Sequence, residues 1–347
     1  MDRRSVGIIG HFGGTEKLLD GQTIKTKILY EELKTASQWN LVCVDTYYKR
    51  KKPIKLFIDT IKCLTHTKDV IILLSRNGMT VYFPLLHICK KIFHTRIYHD
   101  VIGGNLFQYT KKKPHFVTYL NSFQKNWVET QGLKDQLRQQ GVLNCEVIPN
   151  FKRLHIVETT KVNFQKPYKF CTFSRVMKEK GIEDAIHAIE AMNQQEKKCC
   201  QLDIYGKIDE DYRERFENVL QQVSSAVSYR GIVSYKKSAE TIQQYDALLF
   251  PTYWDGEGFP GTIIDAFCAG LPVIATDWNC NREIIENEKN GLLYPNDNIK
   301  NLEDAILWMI QNQDKIPEMK RNCIETAKKY QPDQYIKYII REIELYQ

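Results

Sequence analysis

The chain has no apolar run long enough to cross a bilayer. A spanning helix needs about 20 consecutive apolar residues, and the longest runs among these 347 residues, such as Val70 to Leu74, stop far short of that. Met1 to Gly14 lacks the hydrophobic region of a secretory signal, which makes a cytoplasmic location the expectation. Low-complexity segments and internal repeats are also missing. The ten cysteines include no Cys-x-x-Cys pair. Cys199 and Cys200 are adjacent, while Cys43, Cys171 and Cys268 sit inside apolar segments. That pattern predicts reduced thiols packed as small hydrophobes, not disulfides or metal ligands.

What is present suits a soluble α/β protein. Hydrophobic residues make up 43% of the chain and charged residues 26%, and the length allows two domains with a core each. Short apolar strands alternate with helical periodicity: Val6 to Ile9, Leu41 to Val44, Val70 to Leu74, Arg96 to Tyr98, Phe116 to Leu120 and Glu146 to Ile148 are the expected strands of the first half. Alternation of this kind implies right-handed crossovers and parallel sheets, with ligands at the carboxyl ends of the strands. The net charge of +7 is unevenly spread. Residues 1 to 160 carry 25 Lys+Arg against 13 Asp+Glu, and the remainder is net acidic. Clusters at Lys49-Arg50-Lys51-Lys52, Lys90-Lys91 and Lys111-Lys112-Lys113 read either as solvated faces or as an attraction to an anionic membrane surface. No nucleic-acid-binding motif accompanies them, so nucleic acid is not an expected partner.

One stretch organises the chain, FPTYWDGEGFPGTIIDAFCAGLP from Phe250 to Pro272. A buried strand ends in a glycine-rich turn, and a helix follows that Pro260 opens and Gly270 with Pro272 closes. Glu257 lies in the turn and Asp265 about one turn inside the helix, with Gly258 and Gly261 between them. Bare N–H groups at a helix start attract phosphate and carboxylates accept hydrogen bonds from hydroxyls, so a ligand with both sugar and phosphate fits; an ordinary exposed turn is the alternative. Arg175 and Lys180 bracket another turn ahead of a helix that begins near Gly181, with no evident acidic partner, and predict an anion site. Near the start, HFGGTEKLLDGQT links a strand to a helix through Gly13, Gly14 and Gly21 without the dinucleotide glycine spacing. His99 stands at a strand end, where it is either structural or functional. Asp209-Glu210-Asp211 is expected to start a helix, and no metal is expected.

Glu257-Gly258-Phe259-Pro260, an acid at 265, and Ala266, Gly270, Leu271, Pro272 and Val273 resemble the signature of family 4 retaining glycosyltransferases, glycosyl transferases group 1. The resemblance is specific from about 169 to 294 and holds in outline elsewhere. It implies a GT-B fold: two Rossmann-like domains with parallel sheets facing a central cleft. Residues 1–160 would bind the acceptor, 165–330 the nucleotide-sugar donor, and a helix over 331–347 would pack back on the first domain. It further implies transfer of a sugar, in the first instance from a UDP-sugar, to a saccharide or polyprenyl-linked acceptor in cell-surface polysaccharide assembly. The protein would then be peripheral at the inner face of the membrane.

By the same resemblance, Arg175 and Lys180 hold the donor pyrophosphate and Glu257 contacts the donor sugar. Gly21, Gly258, Phe259, Gly261 and Thr262 lie along the donor, Ile232 lies against its base, and His99 beside its sugar. Where the family has a second Glu for the ribose this chain has Asp265, which is one methylene shorter. No cofactor is implied, the nucleotide-sugar being a substrate. A GT-B epimerase, a phosphorylase, or a nucleotide-sugar-binding protein without catalysis are the alternatives.

Overall fold

The computed structural model describes residues 3–16, 20–154, 156, 164–196, 199–234 and 237–346. Half of the linker expected from Lys152 to Pro167 lies outside the described residues. The chain divides into two compact units, Met1–Lys152 with Gln331–Gln347, and Arg153–Tyr330.

The first unit runs β1 (Ser5–Gly10), α1 (Gly21–Ala36), β2 (Asn40–Asp45), α2 (Pro53–His66), β3 (Asp69–Ile72), α3 (Arg76–Phe93) and β4 (Arg96–Asp100). It continues through α4 (Leu106–Lys112), α5 (His115–Ser122), β5 (Lys125–Val128), α6 (Gln131–Gln139) and β6 (Cys145–Val147). The six strands are parallel in the order β2-β1-β3-β4-β5-β6. Central strands with helices on both faces read as unbroken apolar runs, and Val6, Ile8, Ile9, Val70, Ile71 and Ile72 are fully buried. The outer strand β2 is less covered, and Cys43, expected in the core, is exposed there.

One of the expected strands needs correction in this unit. Phe116 to Leu120 is part of α5 and not a strand, because Phe116 and Leu120, four apart, both face the core while Thr118 between them is exposed. The strand is Lys125–Val128 instead, where the buried Asn126 satisfies its amide on the Leu120 carbonyl and Asn144. The last helix, α14 (Pro332–Glu344), buries Ile336, Ile339 and Ile343 against Val6, Ile8, Leu29, Leu33 and Trp127. Tyr335 and Tyr338 pack half-buried against the same cluster, Tyr335 stacked on Phe151, while Tyr346 at the end is exposed.

The second unit runs β7 (Tyr168–Phe173), α7 (Ile182–Gln195), β8 (Cys200–Tyr205), α8 (Arg213–Gln222), β9 (Val227–Gly231) and α9 (Ser238–Ile242). β10 (Ala247–Phe250), α10 (Gly261–Cys268), β11 (Val273–Thr276), α11 (Asn281–Ile284), β12 (Gly291–Tyr294), α12 (Lys300–Gln311) and α13 (Ile316–Lys328) follow. Its parallel sheet has the order β12-β11-β10-β7-β8-β9. The order reverses between β7 and β10, so the loops leaving these two neighbours diverge to opposite faces and open a crevice at their carboxyl ends.

His99 sits inside the first unit. It is fully buried in β4, edge-on to Phe83, with Nδ1 3.3 Å from Asn126 Oδ1 and Nε2 without a hydrogen-bond partner. Its neighbour Asp100 pairs with the buried Lys25 at 2.8 Å, and Lys25 also reaches Glu129 at 2.9 Å. Burial pushes the His99 imidazole down to about 3, with Asn126 opposing and Lys25 reinforcing the drop. It is therefore neutral in the folded chain, whereas the unfolded chain takes up its proton near pH 6.5. Its contribution to stability is complete above that pH and is lost as the pH falls toward 3. Urea denaturation from pH 6.5 to pH 5 should show wild-type stability falling faster than that of His99→Asn, by up to about 1.4 kcal/mol per pH unit. Parallel slopes would remove His99 as the responsible group.

Candidate active site

The two loops at the reversal point of the second sheet are fastened to each other. After β7 the chain makes a 3-10 turn at Lys178–Lys180, and Gly181, with φ of +65°, turns it into α7. A Cβ on Gly181 would stand 2.1 Å from the Pro251 carbonyl oxygen, so only glycine allows the loop after β10 this close. Tyr253 donates its backbone N–H to the Glu179 carbonyl at 2.9 Å, and Thr252 Oγ1 donates to the same oxygen at 3.3 Å. The Lys180 ammonium is thereby delivered to Glu257 Oε2, which also accepts from Thr252 Oγ1 at 3.1 Å. Both partners are less than a tenth exposed. This corrects the expectation that Lys180 lacks an acidic partner, a residue 77 positions away in the chain.

Trp254 completes the arrangement. Its ring lies 5.0 Å from Lys180 Nζ and 5.1 Å from the Arg175 guanidinium. The ring closes over Gly256, where a Cβ would meet it at 2.4 Å. Trp278 Nε1 donates to the Trp254 carbonyl at 3.2 Å and fixes its backbone. Arg175 is half-exposed, and its nearest carboxylate, Asp209, is 3.7 Å away. Burial lowers the Lys180 pKa, Glu257 holds it up, and Arg175 adds to the drop. The result is one buried, paired cation and one half-exposed cation on the same indole, the second only loosely held by its carboxylate.

The remaining expected residues distribute along this crevice or away from it. Gly261 and Thr262 form the first turn of α10, with Thr262 Oγ1 donating to the Phe173 carbonyl. Phe259 is buried against Tyr330, and the Gly258 carbonyl accepts from Cys280 Sγ at 3.0 Å. Asp265 is buried in α10, and Ile232 is exposed just beyond β9. Gly21 opens α1 in the other unit, where Asp20 caps the helix through Thr23 N at 3.0 Å and Thr23 Oγ1 meets His11 Nδ1 at 2.7 Å. Of the residues absent from the sequence expectations, Trp254 carries a local signal as an aromatic inside a glycine turn and Asp20 as an Asp one residue before Gly21, whereas Thr252 carries none.

The buried Lys180–Glu257 pair predicts a specific asymmetry. Removing one partner strands the other charge, which costs about 3–5 kcal/mol, whereas replacing both with apolar groups costs far less. Lys180→Met and Glu257→Leu should each destabilise on that scale in urea denaturation, and the double variant should be markedly more stable than the sum of the two. Additive losses would show that the pair does not interact.

Residues 158–330 match the family described as glycosyl transferases group 1. Among curated proteins, an α-1,3-N-acetylgalactosaminyltransferase of Campylobacter jejuni, named for an N,N'-diacetylbacillosaminyl-diphospho-undecaprenol acceptor, is 21% identical over 91% of this chain and 84% of its own. The GtfA subunit of a UDP-N-acetylglucosamine–peptide N-acetylglucosaminyltransferase from Streptococcus pneumoniae is 27% identical over 47% of this chain and 33% of its own. The chain spans from a third to about half of the length of the first curated relatives it matches. Among solved structures, a sucrose-phosphate synthase from Thermosynechococcus elongatus superposes with a TM-score of 0.79 at 16% identity, covering 99% of both chains. Anabaena Alr3699/HepE, in complex with UDP and glucose, superposes at 0.73 and 13% identity over 99% of this chain and 100% of its own. These likenesses assign the GT-B fold, and with the match over residues 158–330 the chain belongs to the glycosyl transferases group 1 family.

Proposed function

We propose that the protein transfers a sugar, with retention at the anomeric carbon, from a UDP-sugar to a saccharide or lipid-linked acceptor. The observation that carries the proposal is the convergence of Arg175 and Lys180 on Trp254 beside the first turn of α10. Support for the donor comes from solved relatives described with UDP and a sugar, Alr3699/HepE with glucose and pneumococcal GtfA with GlcNAc. Support for a lipid-linked acceptor in glycan assembly comes from the name of the Campylobacter jejuni relative.

In this reading the chemistry is the stabilisation of a departing diphosphate. Arg175 is free to turn onto it, while Lys180, already desolvated and aimed by Glu257, presents a charge that needs no reorganisation when the bond breaks. Backbone N–H groups of Gly261 and Thr262 add donors at the α10 start. The leaving phosphate takes the acceptor proton as the acceptor attacks the same face of the sugar. Glu257 then positions Lys180 and the donor hydroxyls and removes no proton itself. Acceptor binding is assigned to residues 1–160.

Arg175→Ala tests this most cleanly, because the residue is half-exposed and holds no buried structure together. Loss of one donor to the developing charge corresponds to about 10²- to 10³-fold in kcat, so a drop of that order is expected at an unchanged thermal midpoint. UDP should raise the wild-type midpoint in a thermal-shift assay, as any ligand of the native state does, and GDP or ADP should do so less. No shift with any nucleotide would overturn the donor assignment, and nucleotide binding without turnover would leave a binding protein in place of an enzyme.

A further inference from the structure

The apolar surface of the first unit is concentrated on two neighbouring helices. Of the eleven large hydrophobic side chains exposed among the described residues, six lie on α2 and α3. Ile54, Phe57 and Ile58 form one stripe on α2, and Val81, Ile88 and Ile92 one stripe on α3, with exposures from 46% to 77%. Spacings of three and one, and of seven and four, place each set along a single side of its helix. Both helices lie on the same face of the sheet and share a core, and Thr60 Oγ1 meets Tyr82 OH at 3.1 Å between them. The opposite stripes, Leu56, Cys63 and Leu64 on α2 and Phe83, Leu86 and Cys89 on α3, already fill that core. The outer stripes are therefore surplus to folding.

Charge around these stripes is of one sign. From residue 49 to residue 92 there are ten Lys or Arg and two Asp. Neither acid is available to a partner, since Asp59 pairs with Lys55 on the same helix, and Asp69 is buried between Arg4 and Arg96. Lys49, Arg50, Lys51 and Lys52 stand directly ahead of α2, which has no acidic residue in its first turn. Cations at that end oppose the helix dipole and weaken the helix locally. Lys51 reaches Glu16 at 3.4 Å and lies over the Tyr47 ring, and Lys52 lies over the Tyr48 ring, yet all four cations remain exposed.

We propose that the α2–α3 face docks onto an anionic lipid surface, with Phe57, Ile58 and Ile88 entering the interface and the flanking lysines meeting lipid phosphates. An amphipathic surface with apolar side chains inside a cationic rim lies in the interface plane, and none of the described helices is long and apolar enough to cross a membrane. The lack of available acid on the same face disfavours a protein partner with balanced charge. The inference is independent of the donor assignment, as none of these residues belongs to the crevice of the second unit.

Sedimentation of the full chain with phosphatidylcholine vesicles, with and without phosphatidylglycerol, tests it. Binding is expected only to the mixed vesicles, weakened by salt. Phe57→Ser/Ile58→Ser/Ile88→Ser keeps every charge and should reduce partitioning about tenfold or more. Substituting Gln for Lys49, Arg50, Lys51 and Lys52 should lower it by roughly fivefold for each residue that reaches the surface. Both variants should keep the wild-type thermal midpoint and its shift with UDP, which separates this test from that of the donor site. No binding of wild type to mixed vesicles, or full binding by the serine variant, would overturn the proposal. Loss of self-association in the serine variant, seen by analytical ultracentrifugation in place of any lipid effect, would assign the face to a second copy of the chain.

Discussion

The arrangement at the carboxyl ends of β7 and β10 depends on one close approach, the Gly181 backbone against the Pro251 carbonyl. Because the sheet order reverses there, the two loops have no common helix to hold them, and their mutual position must come from direct contact. A side chain at 181 would separate them, and the Glu179 carbonyl would lose both of its donors from the other loop. Everything else in the crevice follows from that contact. Lys180 is carried to Glu257, Trp254 is laid over Gly256, and Arg175 lies over that indole with Asp209 at 3.7 Å.

The energetic character of the crevice is a compromise between two ways of presenting a cation. A buried lysine with a carboxylate partner is rigid and partly neutralised, whereas an exposed arginine is fully charged and free to move. An anion arriving there gains from both, since the first has already lost its water and the second brings net charge. The indole between them accepts either cation on its face without competing for the anion, because it offers no lone pair of its own there.

The parts of this molecule legible in the sequence are those written in local signals. The strand Ala247–Phe250, the glycine turn and the start and stop of α10 follow from neighbouring residues, as do most central strands of both sheets. What escaped depends on contacts between distant residues. The Lys180–Glu257 pair exists because β7 and β10 are neighbours in a sheet whose order the sequence does not print. α5 reads as a strand in the sequence because its β-branched and aromatic residues favour that state, and only the burial of Phe116 with Leu120 decides for the helix. His99 stands at a strand end, yet the aromatic packing around Phe83 encloses it.

The first unit is discontinuous along the chain, since α14 returns to fill one face of its sheet after the whole of the second unit has passed. On the ribosome this imposes an order of events. Ile8, Leu29 and Trp127 are made early and wait for Ile336, Ile339 and Ile343, which emerge only after the second unit. The second unit, unbroken from Arg153 to Tyr330, can close on itself in the interval. In a nascent chain the part of this sheet face that α1 leaves open therefore stays bare until α14 is made, and the first unit cannot close before then.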